Sequence, residues 1–169
     1  MESIETLTQE EARLLAQKLK IKKLEYSVQE QAEKNFLPFV RNVWPEFKEG
    51  SHHKIIAKKF EDIASGKLKR LIINMPPRHT KSEFASIYFP SYMLGLNPKL
   101  KIIQATHTTE LATGFGRKCK MLVDTPDYKT VFPDTKVSPE SKAAGRWATT
   151  AGGEYFAAGV GAAITGRGA

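Results

Sequence analysis

Residues 71–82 read LIINMPPRHTKS, an apolar run that two prolines separate from a basic, hydroxyl-bearing end. Its two adjacent isoleucines are β-branched, and the run predicts a buried parallel strand over residues 71–75. The residues that follow predict a helix over 81–94, in which Pro90 introduces a kink or a break. A loop between a buried strand and the start of a helix is a setting that binds phosphates, because the first helical turn carries unpaired N–H groups and a partial positive charge.

Two side chains of this loop have the chemistry that a bound nucleotide requires. The ammonium group of Lys81 is able to reach the β- and γ-phosphates, and the hydroxyl of Ser82 is able to ligate Mg²⁺. Both glycines of the standard pattern G-x-x-x-x-G-K-[S/T] are missing, however, because Met75 and Thr80 stand in their places. On these residues alone, a phosphate-binding loop and an ordinary helix start with a surface lysine remain equally open.

The neighbouring sequence alternates helix and strand patterns. Upstream, the spacing of apolar residues predicts a helix over residues 52–65. Downstream, it predicts a strand over 101–106, a helix over 109–124 and a β-hairpin over 146–158 with a glycine-rich turn. Strand–helix–strand–helix is a βαβ pattern, so the sequence predicts an α/β class with parallel pairing.

Residues 1–35 differ from the remainder in charge and composition. They carry 6 basic and 7 acidic residues, whereas the whole chain has a formal net charge of +8, so the positive excess begins after residue 35. The segment contains no Gly or Pro and predicts a helix over 8–34. Its approximate apolar stripe comprises Leu15, Leu19, Leu24, Tyr26 and Val28. Two interpretations remain open, an amphipathic arm docked on the body or a helix that binds a partner.

Composition excludes several classes of protein. With 169 residues and 41% hydrophobic side chains, the chain is able to bury a core, which rules out wholesale disorder. The single cysteine, Cys119, excludes an intramolecular disulfide and suits a reducing compartment. No apolar run approaches the roughly 18–20 residues of a membrane span. The basic balance points to polyanions, either nucleic acid or nucleotide phosphates.

The segment from residue 36 to residue 169 resembles the ATPase region of the large terminase subunits of tailed phages, the ATP-driven motors that thread DNA into proheads. Residues 68–83 look like the variant Walker A region of that family. Matching segments in the family's order are His52-His53, 104–106 (QAT), 114–118 (GFGRK), 131–133 (VFP) and 152–169. The resemblance implies an incomplete P-loop NTPase domain of the ASCE type, with a parallel sheet, preceded by an N-terminal helical arm over 1–35.

The resemblance assigns roles to individual residues. The implied cofactors are ATP and Mg²⁺, with Lys81 on the phosphates and Ser82 as the magnesium ligand. Arg78 corresponds to a loop arginine that senses or stabilises the γ-phosphate, and Arg167 to an arginine finger that reaches a neighbouring subunit's site. The full nucleotide-binding set is Pro76, Pro77, Arg78, His79, Thr80, Lys81, Ser82 and, as an adenine contact, His53. The plainer alternatives are solvated loop arginines at 78 and 167 and a packed histidine at 53.

An ATPase of this class also needs a strand that ends in acidic residues, for Mg²⁺ and for the attacking water. In the family this strand directly follows the Gly-Arg-Gly-Ala run, and the sequence ends at Ala169, the last residue of that run. Residues 121–124 (MLVD) imitate the motif but end a predicted helix. We therefore expect ATP hydrolysis by the full-length motor and weak or no hydrolysis by residues 1–169. An unprotected sheet edge would also make this portion poorly stable, self-associating or dependent on another chain.

The resemblance further implies partners and a location. These are double-stranded DNA, the small terminase subunit, the portal protein of the prohead and further copies in a homo-oligomeric ring, in the cytoplasm of the infected host and away from membranes. Two alternatives stay open, a helicase-like nucleic-acid motor and a non-catalytic DNA-binding or assembly fragment. The four histidines lack cysteine or carboxylate neighbours at metal-ligand spacing, so no further metal site is expected.

Overall fold

A computed structural model describes residues 9–162 of the chain, and within that range helices outnumber strands. One helical stretch, from residue 81 to residue 96, is interrupted by a π-helical segment. In chain order the elements are α1 (Gln9–Lys34), α2 (Phe36–Val43), α3 (Ser51–Ala64), α4 (Lys81–Glu83), the π-helical segment (Phe84–Tyr88), α5 (Phe89–Leu96), β1 (Lys101–Thr106), α6 (Thr109–Asp124), α7 (Pro126–Val131), β2 (Arg146–Ala148) and β3 (Glu154–Gly159). None of these described helices is both long and apolar enough to cross a bilayer.

The three strands form a small mixed sheet in the order β1-β3-β2. β1 and β3 are parallel, in register from Lys101 opposite Glu154 to Thr106 opposite Gly159, and α6 lies in the crossover between them. β2 and β3 are antiparallel and form the hairpin that the sequence predicts. The predictions of a strand over 101–106 and a helix over 109–124 are also confirmed, both with the expected bounds. The P-loop NTPase class itself stays a prediction.

The predicted strand over residues 71–75 is absent. The segment is extended, but among the described residues the sheet contains only β1, β3 and β2, so it has no ladder partner. Leu71, Ile73 and Met75 pack against the core, while Ile72 is 86% exposed. The side chains thus alternate with the period of a strand, although a strand that lacks neighbours cannot be buried on both faces.

The core centres on the aromatic rings of α2. Phe36 is fully buried and meets four rings edge-on, those of Phe60 at 5.2 Å, Phe84 at 5.4 Å, Tyr92 at 5.5 Å and Phe89 at 6.1 Å between centroids. Edge-to-face contacts of this kind are the arrangement that aromatic quadrupoles favour. Because these rings come from α2, α3, the π-helical segment and α5, the cluster fixes α3 against the helix that follows the basic loop.

The helix predicted over 81–94 forms and extends to residue 96, and Pro90 alters its hydrogen bonding as expected. Proline has no N–H to donate, and the preceding turn is π-helical, with the N–H of Phe89 donating to the carbonyl of Phe84. A carbonyl of the π turn accepts a hydrogen bond from another helix, because the Cys119 thiol of α6 donates to Ser86 O at 3.3 Å. Burial raises the pKa of that thiol to about 12, which keeps it protonated.

Helix α1 forms as predicted, but the apolar stripe proposed from the sequence is not covered. The five stripe residues are between 46% and 69% exposed in the described structure. Only the end of the helix is attached to the body, where Ala32 is buried and the hydroxyl of Tyr92 donates to Glu33 O at 3.1 Å. The two interpretations from the sequence, an arm docked on the body and a helix that binds a partner, therefore both stay predictions.

Candidate functional site

The loop over residues 76–82 is the candidate site, and it lies on the surface between the extended segment and α4. Pro76, Pro77, Arg78 and His79 are exposed, as are Lys81 and Ser82, whereas Thr80 is half-buried. All the loop residues assigned from the sequence therefore lie together and, apart from Thr80, are open to solvent. Thr80 is the N-cap of α4, so the backbone N–H groups of the residues after it are first-turn donors.

Two loop residues adopt left-handed backbone conformations. They are Arg78 with φ 63° and Thr80 with φ 58°, the only residues besides glycine with positive φ in the described chain. A β-branched residue in this region costs about 1–3 kcal/mol, whereas glycine adopts it freely. Thr80 stands at the second glycine position of the phosphate-loop pattern. The loop therefore keeps a glycine-type backbone at that point without the glycine.

A chain of hydrogen bonds surrounds the Thr80 hydroxyl. The N–H of Gly50 donates to His53 Nδ1 at 2.8 Å, and His53 Nε2 lies 2.6 Å from Thr80 Oγ1. Since Nδ1 accepts, the neutral ring carries its proton on Nε2 and donates to Thr80. The Thr80 hydroxyl in turn donates to His79 O at 2.7 Å. Each group in the chain thus has a defined donor or acceptor role.

His53 is held rigidly within the body of the protein. It is 4% exposed, and its ring lies 4.8 Å from that of Phe47 and 4.9 Å from that of Phe84. Burial lowers the pKa of His53 most, the neighbouring His52 and His79 lower it further, and Glu49 opposes this shift. The ring is therefore neutral at pH 7, as the hydrogen-bond pattern requires. Both ring nitrogens already have protein partners, and the adenine contact implied by the resemblance stays a prediction.

Lys81 and Ser82 project from the first turn of α4. The Lys81 ammonium lies 3.5 Å from Met75 O, so the side chain bends back across the loop toward the extended segment. Ser82 presents an exposed hydroxyl next to it. Within residues 9–162 no group of three or more His, Cys, Asp or Glu side chains is placed to hold a metal. The role of the Ser82 hydroxyl as a magnesium ligand, implied by the resemblance, stays a prediction.

Two further features of the sequence analysis are Arg167 and residues 121–124. Arg167 lies outside the described residues. Residues 121–124 form the end of α6 and not a strand, and Asp124 is exposed and pairs with Lys129 at 2.9 Å. The described residues thus supply candidate phosphate contacts but no acidic strand beside them.

The contact between His53 and Thr80 was missed at the sequence level. The two residues are 27 positions apart and lie on different elements, and helix periodicity only indicates that His53 faces inward. The adjacent histidines at 52 and 53 were a visible but ambiguous pattern. In the structure their rings are 3.8 Å apart, and His52 Nε2 is buried without a hydrogen-bond partner among the described residues.

Comparison of the chain with known protein families, with curated proteins and with solved structures found no match. The resemblance to large terminase subunits therefore remains a prediction from the motifs, and the geometry of the loop is the physical evidence that bears on it.

Proposed function

We propose that residues 36–162 form the nucleotide-binding part of an ATPase motor that moves double-stranded DNA, of the large terminase kind. The observation that supports this most directly is the backbone of the loop. Thr80, at a glycine position of the phosphate-loop pattern, adopts the left-handed conformation with φ 58° and caps the helix that presents Lys81 and Ser82. A surface lysine at an ordinary helix start has no need of such a conformation.

The described residues are suited to binding phosphate. The first-turn N–H groups of α4 point toward the loop, and helical residues run on from Lys81 to Leu96, which places the positive end of the helix there. The Lys81 ammonium is an exposed cation beside that end, and the exposed Arg78 adds a second positive group. The Ser82 hydroxyl would hold Mg²⁺, which would supply positive charge to neutralise the phosphate oxygens.

Hydrolysis requires more than these residues provide. An attacking water has to be positioned by a carboxylate, and none of the strands described in residues 9–162 ends in an acidic residue. We propose ATP hydrolysis by the full-length motor and weak or no turnover by the present chain. The small terminase subunit, the portal protein of the prohead, a homo-oligomeric ring and a location in the host cytoplasm are part of the same proposal.

Titration with Mg·ATP, followed by calorimetry, tests the proposal. We expect Lys81→Ala to weaken binding by about 10- to 100-fold, because a hydrogen bond to a charged group contributes roughly 1.5–3 kcal/mol. Lys118→Ala is the matched control, since Lys118 is an exposed lysine on α6. Ser82→Ala should abolish the increase in affinity that Mg²⁺ produces. Equal affinity of the wild type and Lys81→Ala would overturn the proposal.

A non-catalytic DNA-binding fragment is the second candidate, and the charge distribution favours it. The chain carries a net charge of +8, and Lys67, Lys69 and Arg70 are exposed just before the extended segment. If ATP fails to bind with Mg²⁺ present, while DNA affinity falls steeply as salt is raised, this candidate replaces the first. A helicase-like motor would share the ATP result and requires a DNA-unwinding assay to distinguish it.

A further inference from the structure

We infer that His53 is a positioning residue, and that the His53–Thr80 pair takes over the conformational role that glycine has at this point of a phosphate-binding loop. The contact is a 2.6 Å approach of His53 Nε2 to Thr80 Oγ1, made from α3 to the N-cap of α4. The inference rests on the proposed function for its nucleotide readout. The conformational part is measurable on the protein alone.

Thr80 occupies an unfavourable backbone region, so the surroundings have to hold it there. The Thr80 backbone has φ 58°, and its hydroxyl oxygen Oγ1 makes hydrogen bonds on two sides. His53 donates to it, and it donates to His79 O at 2.7 Å. Because both contacts are made, the side-chain torsion of Thr80 and the position of the His79 carbonyl are both fixed. The backbone that joins these two groups is therefore restricted.

The donor is itself immobile, and this makes it effective. His53 is buried between the rings of Phe47 and Phe84, and its other nitrogen accepts from the N–H of Gly50 at 2.8 Å. Phe84 belongs to the helical stretch that begins at Lys81, so the ring is packed against the element that the loop leads into. The donor therefore has a fixed position relative to the loop.

The hydrogen-bonding requirements at position 53 explain why a histidine occupies it. A donor is needed at one ring nitrogen and an acceptor at the other, and the neutral imidazole offers both in one flat ring. The titratable groups around it are His52 on α3, His79 in the loop and Glu49 before α3. The shape of the phosphate-binding loop is thus set partly from α3, outside the loop itself.

Two substitutions of His53 separate its two hydrogen bonds. In His53→Asn the amide oxygen replaces Nδ1 and still accepts from Gly50, but the side chain is too short to reach Thr80. In His53→Gln the amide nitrogen replaces Nε2 and still donates to Thr80, while the contact with Gly50 is lost. Thr80→Gly removes the strained residue altogether. His52→Asn, one residue earlier on the same helix, is the matched control.

The experiment combines these variants of the full 169-residue chain in a double-mutant cycle, with urea unfolding and Mg·ATP titration as readouts. We expect His53→Asn to weaken ATP binding about three- to tenfold, the range that loss of one hydrogen bond implies for the population of the competent loop. His53→Gln, which keeps the donor to Thr80, should bind more tightly than His53→Asn, and the control His52→Asn should bind within twofold of the wild type. The double variant His53→Asn/Thr80→Gly should recover most of the lost affinity.

The outcomes separate the inference from the proposed function. If the wild type binds ATP and His53→Asn binds equally well, the positioning role is wrong and the function stands. If His53→Asn weakens binding by the same factor with threonine or glycine at position 80, His53 acts by direct contact and the inference is overturned. If ATP does not bind at all, the proposed function fails, and the unfolding cycle decides the inference. A coupling between positions 53 and 80 then supports it, and additive effects overturn it.

Discussion

Thr80 shows that the identity of a single residue does not fix the conformation at its position. The sequence has threonine where the phosphate-loop pattern has glycine, and on that ground the loop was a poor match. The backbone nevertheless adopts φ 58° at Thr80, and the hydroxyl, which glycine lacks, is the group that His53 and His79 O engage. A side chain that is unfavourable for the conformation thus brings with it the hydrogen bonds that stabilise the conformation.

The lowered pKa of His53 predicts a pH dependence of stability. The ordinary histidine pKa is near 6.5, and in the folded protein burial holds the value below that. As the pH falls below about 6.5, the unfolded chain binds the proton first, so the free energy of unfolding decreases; above 6.5 the contribution is fully present. Protonation would also place a hydrogen on Nδ1, against the N–H of Gly50.

Urea unfolding at pH 7.5 and pH 5.5 measures this effect. We expect the wild type to lose more stability over that interval than His53→Gln, which cannot titrate at this position. His52, His79 and Glu49 remain in both proteins, so their contributions cancel to first order. An equal loss in both proteins would show that His53 does not titrate as its burial implies.

At the level of elements, the extended segment over 71–75 allows a clear test of the observed structure. We expect Ile72→Lys to change the free energy of unfolding by no more than about 0.5 kcal/mol, because the side chain is 86% exposed. Ile73→Ala should cost about 1–2 kcal/mol, since Ile73 packs against the core. Urea unfolding measures both, and a severe loss in Ile72→Lys would indicate that the segment is a strand buried on both faces.

The two glycines of α6 form a second matched pair. At Gly116 an added Cβ would lie 2.5 Å from Ala144 O and 2.9 Å from the ring of Tyr155, while at Gly114 nothing lies within 4 Å. We expect Gly116→Ala to destabilise the protein by about 1–3 kcal/mol through overpacking. Gly114→Ala should stabilise it by up to about 1 kcal/mol through helix propensity. Thermal unfolding of the two variants checks the opposite signs.

The elements that could be predicted from the sequence are those with local determinants. Helix α6 is capped by Thr108, whose hydroxyl accepts from the N–H of Leu111, and such an N-cap is visible in the sequence. The β2–β3 hairpin has its glycine turn. The absence of a strand over 71–75 could not be predicted from the sequence, because strand pairing depends on residues distant in the chain. The contact between His53 and Thr80 is non-local for the same reason.

For the whole molecule, two exposed features favour association. β1 is an edge strand of the sheet, and α1 carries large apolar side chains that the described part of the chain leaves uncovered. We expect the chain to self-associate at micromolar concentrations or to unfold at a modest temperature. Sedimentation and thermal melting measure the two properties. A sharp, reversible melt of a monomer, independent of protein concentration, would contradict the expectation.

The π-helical segment sets the direction in which the loop is presented. Each residue of an α-helix turns the chain by roughly 100°, and a π turn accommodates one additional residue without lengthening the hydrogen-bonded ladder on either side. Lys81 and Ser82 lie on one side of the segment and the packed residues of α5 on the other. The basic side chains therefore project from the helix in a direction that is rotated, by the turn of one residue, from the direction that an unbroken α-helix would give relative to the core-facing residues. Deleting a single residue from Phe84–Tyr88 would restore that phase and rotate the Lys81 and Ser82 side chains about the helix axis relative to the core-facing residues of α5.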